Sequence, residues 1–173
     1  MGIYDRDYGR EEPTPWERME NPRSITVTLI IINVVVFVAE LVTQSPMLDP
    51  VTQVPLTGPD GMKIQDSVVI DWLAVDGNTI KQPWMWWQFL TYGFVHDLSG
   101  ISHLLFNMIG LYVFGRDVEL RQGRSEFLRF YLAAVVFGGI VGGLTHMLTG
   151  GGGGTIGASG GVIACAILFA CYF

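Results

Sequence analysis

Ser159 stands alone among glycines in GASGG (157–161), after the glycine run 150–154 and before the apolar tail CAILFACYF (165–173). Glycines leading into a helical pattern put that serine in a first turn, whose backbone N–H groups lack intrahelical partners and form a ready anion site. A hydroxyl held there has an oxyanion donor in its own amide, as acyl transfer requires. A serine at a helix start also suits capping or close packing, and spacing alone leaves both readings open.

His103 and Asn107 are the other pair whose types and spacing could do chemistry. They lie four apart in ISHLLFNMIGLYVFG (101–115), so a helix puts them on one face of an otherwise apolar segment. Two polar side chains stacked that way clamp a neighbouring helix through hydrogen bonds, or they face something wet. In the second case His103, taken alone, reads as a general base. His96 and His146 fall where a solvated histidine is ordinary. Cys165 and Cys171, six apart, sit on different faces more than a turn apart and read as small buried residues, not a disulfide.

Two soluble-enzyme patterns match without their context. GGGTIG (152–157) fits G-x-G-x-x-G, yet no strand precedes it and no βαβ unit surrounds it. GASGG fits G-x-S-x-G without the strand–turn–helix of a hydrolase elbow, and no lysine follows the glycines as in a phosphate-binding loop. No cofactor and no metal is expected.

The elements that must position these residues are set by hydropathy. Half of the 173 residues are hydrophobic, 15% are charged, and the mean hydropathy is +0.40. SITVTLIIINVVVFVAELV (24–42) and FYLAAVVFGGIVGGLTHML (130–148) are runs of 19, and 157–173 is a third. Each approaches the ~20 apolar residues that a helix needs to cross a bilayer core. With the shorter segment 101–115, this predicts an all-α, polytopic transmembrane bundle with spans near 24–42, 101–115, 130–148 and 157–173. A cleaved signal peptide fits the first run poorly, because 23 residues carrying charge and proline precede it and no A-x-A-like site follows.

Charge gives the orientation. Arg6, Arg10, Arg18 and Arg23 precede the first span, and Arg116, Arg121, Arg124 and Arg129 lie in or beside the loop between the second and third. Lys63 and Lys81 fall between the first two spans. Eight of the ten basic residues thus share one side, which the positive-inside bias makes cytoplasmic. The chain divides into a polar cytoplasmic lead (1–23) and a transmembrane domain (24–173), with the connection 43–100 and the glycine loop outside. The net charge of −6 argues against a nucleic-acid partner; the partner implied is the lipid bilayer.

The connection 43–100 is too long to be structureless. Trp72, Trp84, Trp86, Trp87 and Tyr92 suit the headgroup level, so it is expected half-sunk in the outer leaflet with short helices. The pairs Gly138/Gly142 and Gly139/Gly143 in the third span, and Gly160/Ala164 in the fourth, remove bulk from one face and let a neighbour approach.

Taken together, WWQFLTYGFVH (86–96), HLLFNMIGLYVFGRDVE (103–119) and GASGGVIA (157–164), in that order and at those separations, resemble the rhomboid family of intramembrane serine proteases. The resemblance covers about 84–164. It implies a six-helix core of which this chain carries the first four helices, with Ser159 as nucleophile. It makes His103 and Asn107 oxyanion donors beside the Ser159 amide, which moves His103 out of the base role. It also implies transmembrane protein substrates, unwound and cut in a water-filled cavity below the outer surface. Hydrolysis needs water, and a helical substrate hides its carbonyls until it frays. A bacterial inner membrane suits the arginine distribution.

The family's base is a histidine on its sixth span, and no histidine follows Ser159 here. A serine without its base is a poor nucleophile, so the chain as given is expected to be a fragment and inactive alone. Gln88 and Tyr92 stand where some relatives carry Arg and His, and two extra residues precede His103. Two other classes stay open: a catalytically inactive rhomboid-like protein that binds client transmembrane helices, and a small transporter with His103 and Asn107 lining its path.

Overall fold

The computed structural model describes residues 24–58, 61, 64–98, 100–150 and 154–172. The lead 1–23 with its four arginines, Lys63, residues 151–153 of the glycine loop and Phe173 of the last span lie outside the described residues.

Helix α1 (Ile25–Thr43) starts where the Ser24 hydroxyl accepts the Val27 N–H at 3.4 Å, the cap that serine favours. Its buried residues are Thr26, Leu29, Asn33, Phe37 and Glu40, a single face by their spacing of three and four. Ile31, Val35 and Val38 on the other side are more than half exposed. A soluble helix does the reverse. Polar side chains turned in and branched apolar ones turned out suit a lipid surround, because hydrocarbon offers polar groups no hydrogen bonds.

A carboxylate from far along the chain completes the start of α1. Glu119 accepts the Ser24 hydroxyl (2.8 Å), the Ile25 N–H (2.7 Å), the Thr26 N–H (2.9 Å) and the Thr26 hydroxyl (2.7 Å). These N–H groups are orphan donors of a first turn, and the helix dipole favours an anion there.

Beyond α1 the chain pairs β1 (Gln44–Pro46) with β2 (Gln65–Ser67), antiparallel, Ser45 opposite Asp66. Nothing in the residue pattern signals this pair, since QSP and QDS lack apolar alternation. Then follow α2 (Val68–Leu73), single 3-10 turns at Thr79–Lys81 and Pro83–Met85, α3 (Gln88–Thr91) and a further 3-10 turn at Tyr92–Phe94. Trp72, Trp84 and Trp86 are more than half exposed, but Tyr92 is not at the headgroup surface expected for it. It is 3% exposed and donates its hydroxyl to the Val135 carbonyl at 2.8 Å. An amphipathic ring is equally at home in a core once its hydroxyl has a partner.

Helix α4 (Ile101–Gly110) runs through a π-helical stretch (Leu111–Gly115) into α5 (Arg116–Gln122), so the segment 101–115 belongs to a longer rod. Gly123, at φ +85°, turns the chain at once into α6 (Arg124–Thr149), using a backbone that glycine adopts without a Cβ penalty. The arginines expected in or beside a loop there are all helical. Helix α6 buries Phe127, Tyr131, Val135, Gly139 and Gly143, every fourth residue. Its glycines serve close packing: a Cβ on Gly138 would lie 3.8 Å from the Gly160 Cα. After Gly150 (φ +65°) the chain returns as α7 (Ser159–Tyr172), whose Gly161 packs on the Tyr131 ring and whose Cys165 joins the same core. Both cysteines are free thiols. Among the described helices α1 and α6 are long and apolar enough to cross a membrane, and α7 is apolar but shorter.

Candidate active site

Ser159 opens α7, and Gly157 two residues earlier holds φ +109°. The connection 43–100 ties down the segment that leads into them. Val75 and Thr155 exchange backbone hydrogen bonds of 3.3 and 2.7 Å, and the Gly157 N–H donates to the Tyr92 carbonyl at 3.0 Å. His146 sets its Nε2 3.1 Å from the Thr155 hydroxyl, so it braces this strap and not the serine. Ser159 itself is exposed, and neither its hydroxyl nor its N–H has a hydrogen-bond partner among the described residues.

Helix α4 brings its polar face to the same turn. A Cβ built on Gly157 would lie 2.9 Å from His103 Cε1, 3.0 Å from Nε2 and 3.9 Å from the Ser159 Oγ. The Nε2 edge of the imidazole and the serine hydroxyl thus flank one point that glycine leaves free. Behind them Ala158 packs with Phe37, Leu104 and Met108, which seats α4 and α1 against the start of α7. Asn107 is 6% exposed and donates one amide N–H to the His103 carbonyl at 2.8 Å. A carboxamide carries two such donors, so one N–H is left.

The proton on His103 is placed by its neighbour. The Asp97 N–H donates to His103 Nδ1 at 3.4 Å. A ring nitrogen that accepts carries no hydrogen in neutral imidazole, so the proton sits on Nε2, the edge toward Gly157 and Ser159. In that tautomer the Nε2 edge can donate a hydrogen bond and cannot accept a proton.

His96 and Glu40 belong to the same cluster. The His96 and His103 ring centroids are 5.4 Å apart with planes at 58°. His96 is fully buried, not solvated as the sequence suggests. Its Nδ1 lies 3.3 Å from the Phe94 carbonyl, which can only accept, and Nε2 has no partner among the described residues. Burial, aided by the neighbouring His103 imidazole and opposed by the Phe94 carbonyl, pushes its pKa down to about 4. Glu40, fully buried near the C-terminal end of α1, accepts the His96 N–H with both carboxylate oxygens, at 3.2 and 3.3 Å. Sequence reasoning passed over Glu40, although a carboxylate in an apolar run is rare without a partner and was the available signal. Among the described residues no three His, Cys, Asp or Glu side chains come together as a metal site.

Apolar helices with their polar side chains turned inward around such a cluster define a helical membrane bundle. The rhomboid domain family matches residues 83–173, just over half of the chain, and the chain belongs to that family. Over 63 residues, 36% of this chain, it is 40% identical to the rhomboid protease GluP of Bacillus subtilis (strain 168). The match spans 12% of that protein's length.

Proposed function

We propose that this chain carries the nucleophile and the oxyanion donors of an intramembrane serine endopeptidase that cuts transmembrane protein substrates. Ser159 Oγ attacks the scissile carbonyl, and the carbonyl oxygen takes the negative charge. His103 Nε2–H, the second N–H of Asn107 and the Ser159 amide donate to that oxygen. Preorganised donors of this kind are worth about 10²–10³ each in rate. The proton of Ser159 passes to a histidine that the family resemblance puts on a later span; none of His96, His103 and His146 is cast in that role.

The site faces outward in a topology of four spans near 24–42, 101–115, 130–148 and 157–173. The lead 1–23 is cytoplasmic, the domain 24–173 is membrane-embedded, and the connection 43–100 rests in the outer leaflet of a bacterial inner membrane. The rhomboid match and the name of its relative support the activity. The observation that carries the reading is the Gly157 site, with the imidazole Nε2 and the serine Oγ both within 4 Å of one point that glycine leaves free. A fluorophosphonate or isocoumarin probe tests it directly in the longer protein that carries the later-span histidine: that protein is labelled and its Ser159→Ala variant is not. Labelling that survives Ser159→Ala ends the assignment.

A further inference from the structure

The turn 92–97 joins the elements around the site. The Tyr92 hydroxyl reaches the Val135 carbonyl of α6, and the Tyr92 carbonyl holds the Gly157 N–H. The His96 N–H is held by Glu40 of α1, and the next amide along, that of Asp97, meets His103 Nδ1. We propose that Glu40 is a positioning residue for the oxyanion site: by holding the His96 amide it aims the Asp97 amide that sets the tautomer of His103. The catalytic consequence rests on the donor role proposed above; the tautomer itself does not.

Three observations carry this. Glu40 is a fully buried carboxylate whose partner is a backbone amide and not a cation, so its hydrogen bond and not an ion pair is its contribution. Phe37, one turn earlier on α1, packs with Leu104, Met108 and Ala158, so α1 already touches both halves of the site and Glu40 extends that contact to the turn. The Asp97 bond, at 3.4 Å, lies at the long end for a hydrogen bond, so a small rotation of the peptide between residues 96 and 97 breaks it. Freed of that bond, neutral His103 exchanges between tautomers. The form with its lone pair on Nε2 repels an oxyanion.

The test is ¹⁵N-histidine NMR of residues 1–173 in detergent micelles, where three histidines give three ring systems. Native His103 must show a bare Nδ1 and a protonated Nε2; the opposite tautomer overturns the proposal before any variant is made. In Glu40→Met, which removes the acceptor and suits an apolar helix, the His103 nitrogens shift toward tautomer averaging while those of His146 stay. Glu40→Gln, which keeps an acceptor oxygen, restores the native spectrum. An unmoved His103 in Glu40→Met overturns the proposal. Fluorophosphonate labelling of Ser159 reads the consequence: about a tenfold slower rate in Glu40→Met, regained in Glu40→Gln, is the partial loss of one donor. If Ser159 takes up no probe even in a protein that also carries the later-span histidine, while His103 still shifts in Glu40→Met, the positioning stands and the proteolytic reading falls.

Discussion

Glu119 and Thr26, 93 residues apart in the chain, meet twice on one carboxylate oxygen, through the Thr26 N–H at 2.9 Å and its hydroxyl at 2.7 Å. With the bonds from Ser24 and Ile25, this contact replaces the turn of helix that α1 lacks at its start. Glu119→Ala strands those donors in a buried site and is expected to cost about 2–4 kcal/mol. Glu119→Gln keeps an acceptor oxygen and costs less. Thermal unfolding in detergent, followed by circular dichroism, measures both.

The same contact predicts an acid response. Burial raises the Glu119 pKa, but the N–H groups of Thr26 and Ile25 and the hydroxyls of Thr26 and Ser24 outweigh it and hold the carboxyl below its ordinary value. A group depressed in the folded state stabilises it above the unfolded pKa and loses that contribution as pH falls through the folded one. Stability should therefore drop in the acid range below the ordinary carboxylate pKa, with a shallower slope in Glu119→Gln. Equal slopes in the two proteins contradict the capping role.

The candidate site was partly legible in the sequence because it is local. The spacing of four from His103 to Asn107 fixes a shared helix face, and glycines before Ser159 mark a helix start. The apolar runs marked the long helices in the same way, through a property of each segment alone. What was not legible is what depends on two distant segments. Nothing near Tyr92 says that its hydroxyl will find Val135, so composition sent it to the headgroups. Nothing near Glu40 names His96, and nothing near Glu119 names Thr26. The boundary of α5 was missed because Gly123 can turn the chain in one residue where a loop was expected.

Two glycines on facing helices should answer differently to the same substitution. A Cβ on Gly139 would sit 2.8 Å from the Phe89 carbonyl oxygen and 3.1 Å from its Cα, backbone atoms that cannot step aside. A Cβ on Gly160 would meet the Tyr92 hydroxyl at 3.4 Å and its other neighbours at 3.9 Å, ordinary contact. Gly139→Ala is expected to lose about 1–3 kcal/mol, the usual cost of overpacking, whereas Gly160→Ala leaves the melting temperature within a degree or two. A fall of equal size in both would show that the fit of α3 against α6 is not as tight as these distances require.

His96 supplies a second, separate pH effect. With its pKa pushed down to about 4 from an ordinary 6.5, it stays neutral in the fold where the unfolded chain would take up a proton. Between those two values the unfolded state binds more protons, so stability falls as pH is lowered, by up to about tenfold in the folding constant per unit. Above 6.5 the effect vanishes. In His96→Asn the whole curve shifts down for lost packing, but its slope between pH 6.5 and 4 should flatten relative to the native protein. Denaturation midpoints at half-unit pH steps give the two slopes.

Gly157 joins backbone strain and chemistry at one position, and Gly123 separates them. Both hold positive φ, +109° and +85°, so alanine at either place is strained by about 1–3 kcal/mol. At Gly123 the added Cβ meets nothing within 4 Å; at Gly157 it enters the space 2.9 Å from His103 Cε1 and 3.0 Å from Nε2. The imidazole must then swing off its Asp97 bond, which takes the donor away from Ser159. Gly123→Ala should therefore lose stability and keep native fluorophosphonate labelling, while Gly157→Ala loses stability and labels at least tenfold more slowly. Labelling at the native rate in Gly157→Ala would mean that the Nε2 edge of His103 does not serve the serine, whatever the stability measurements show.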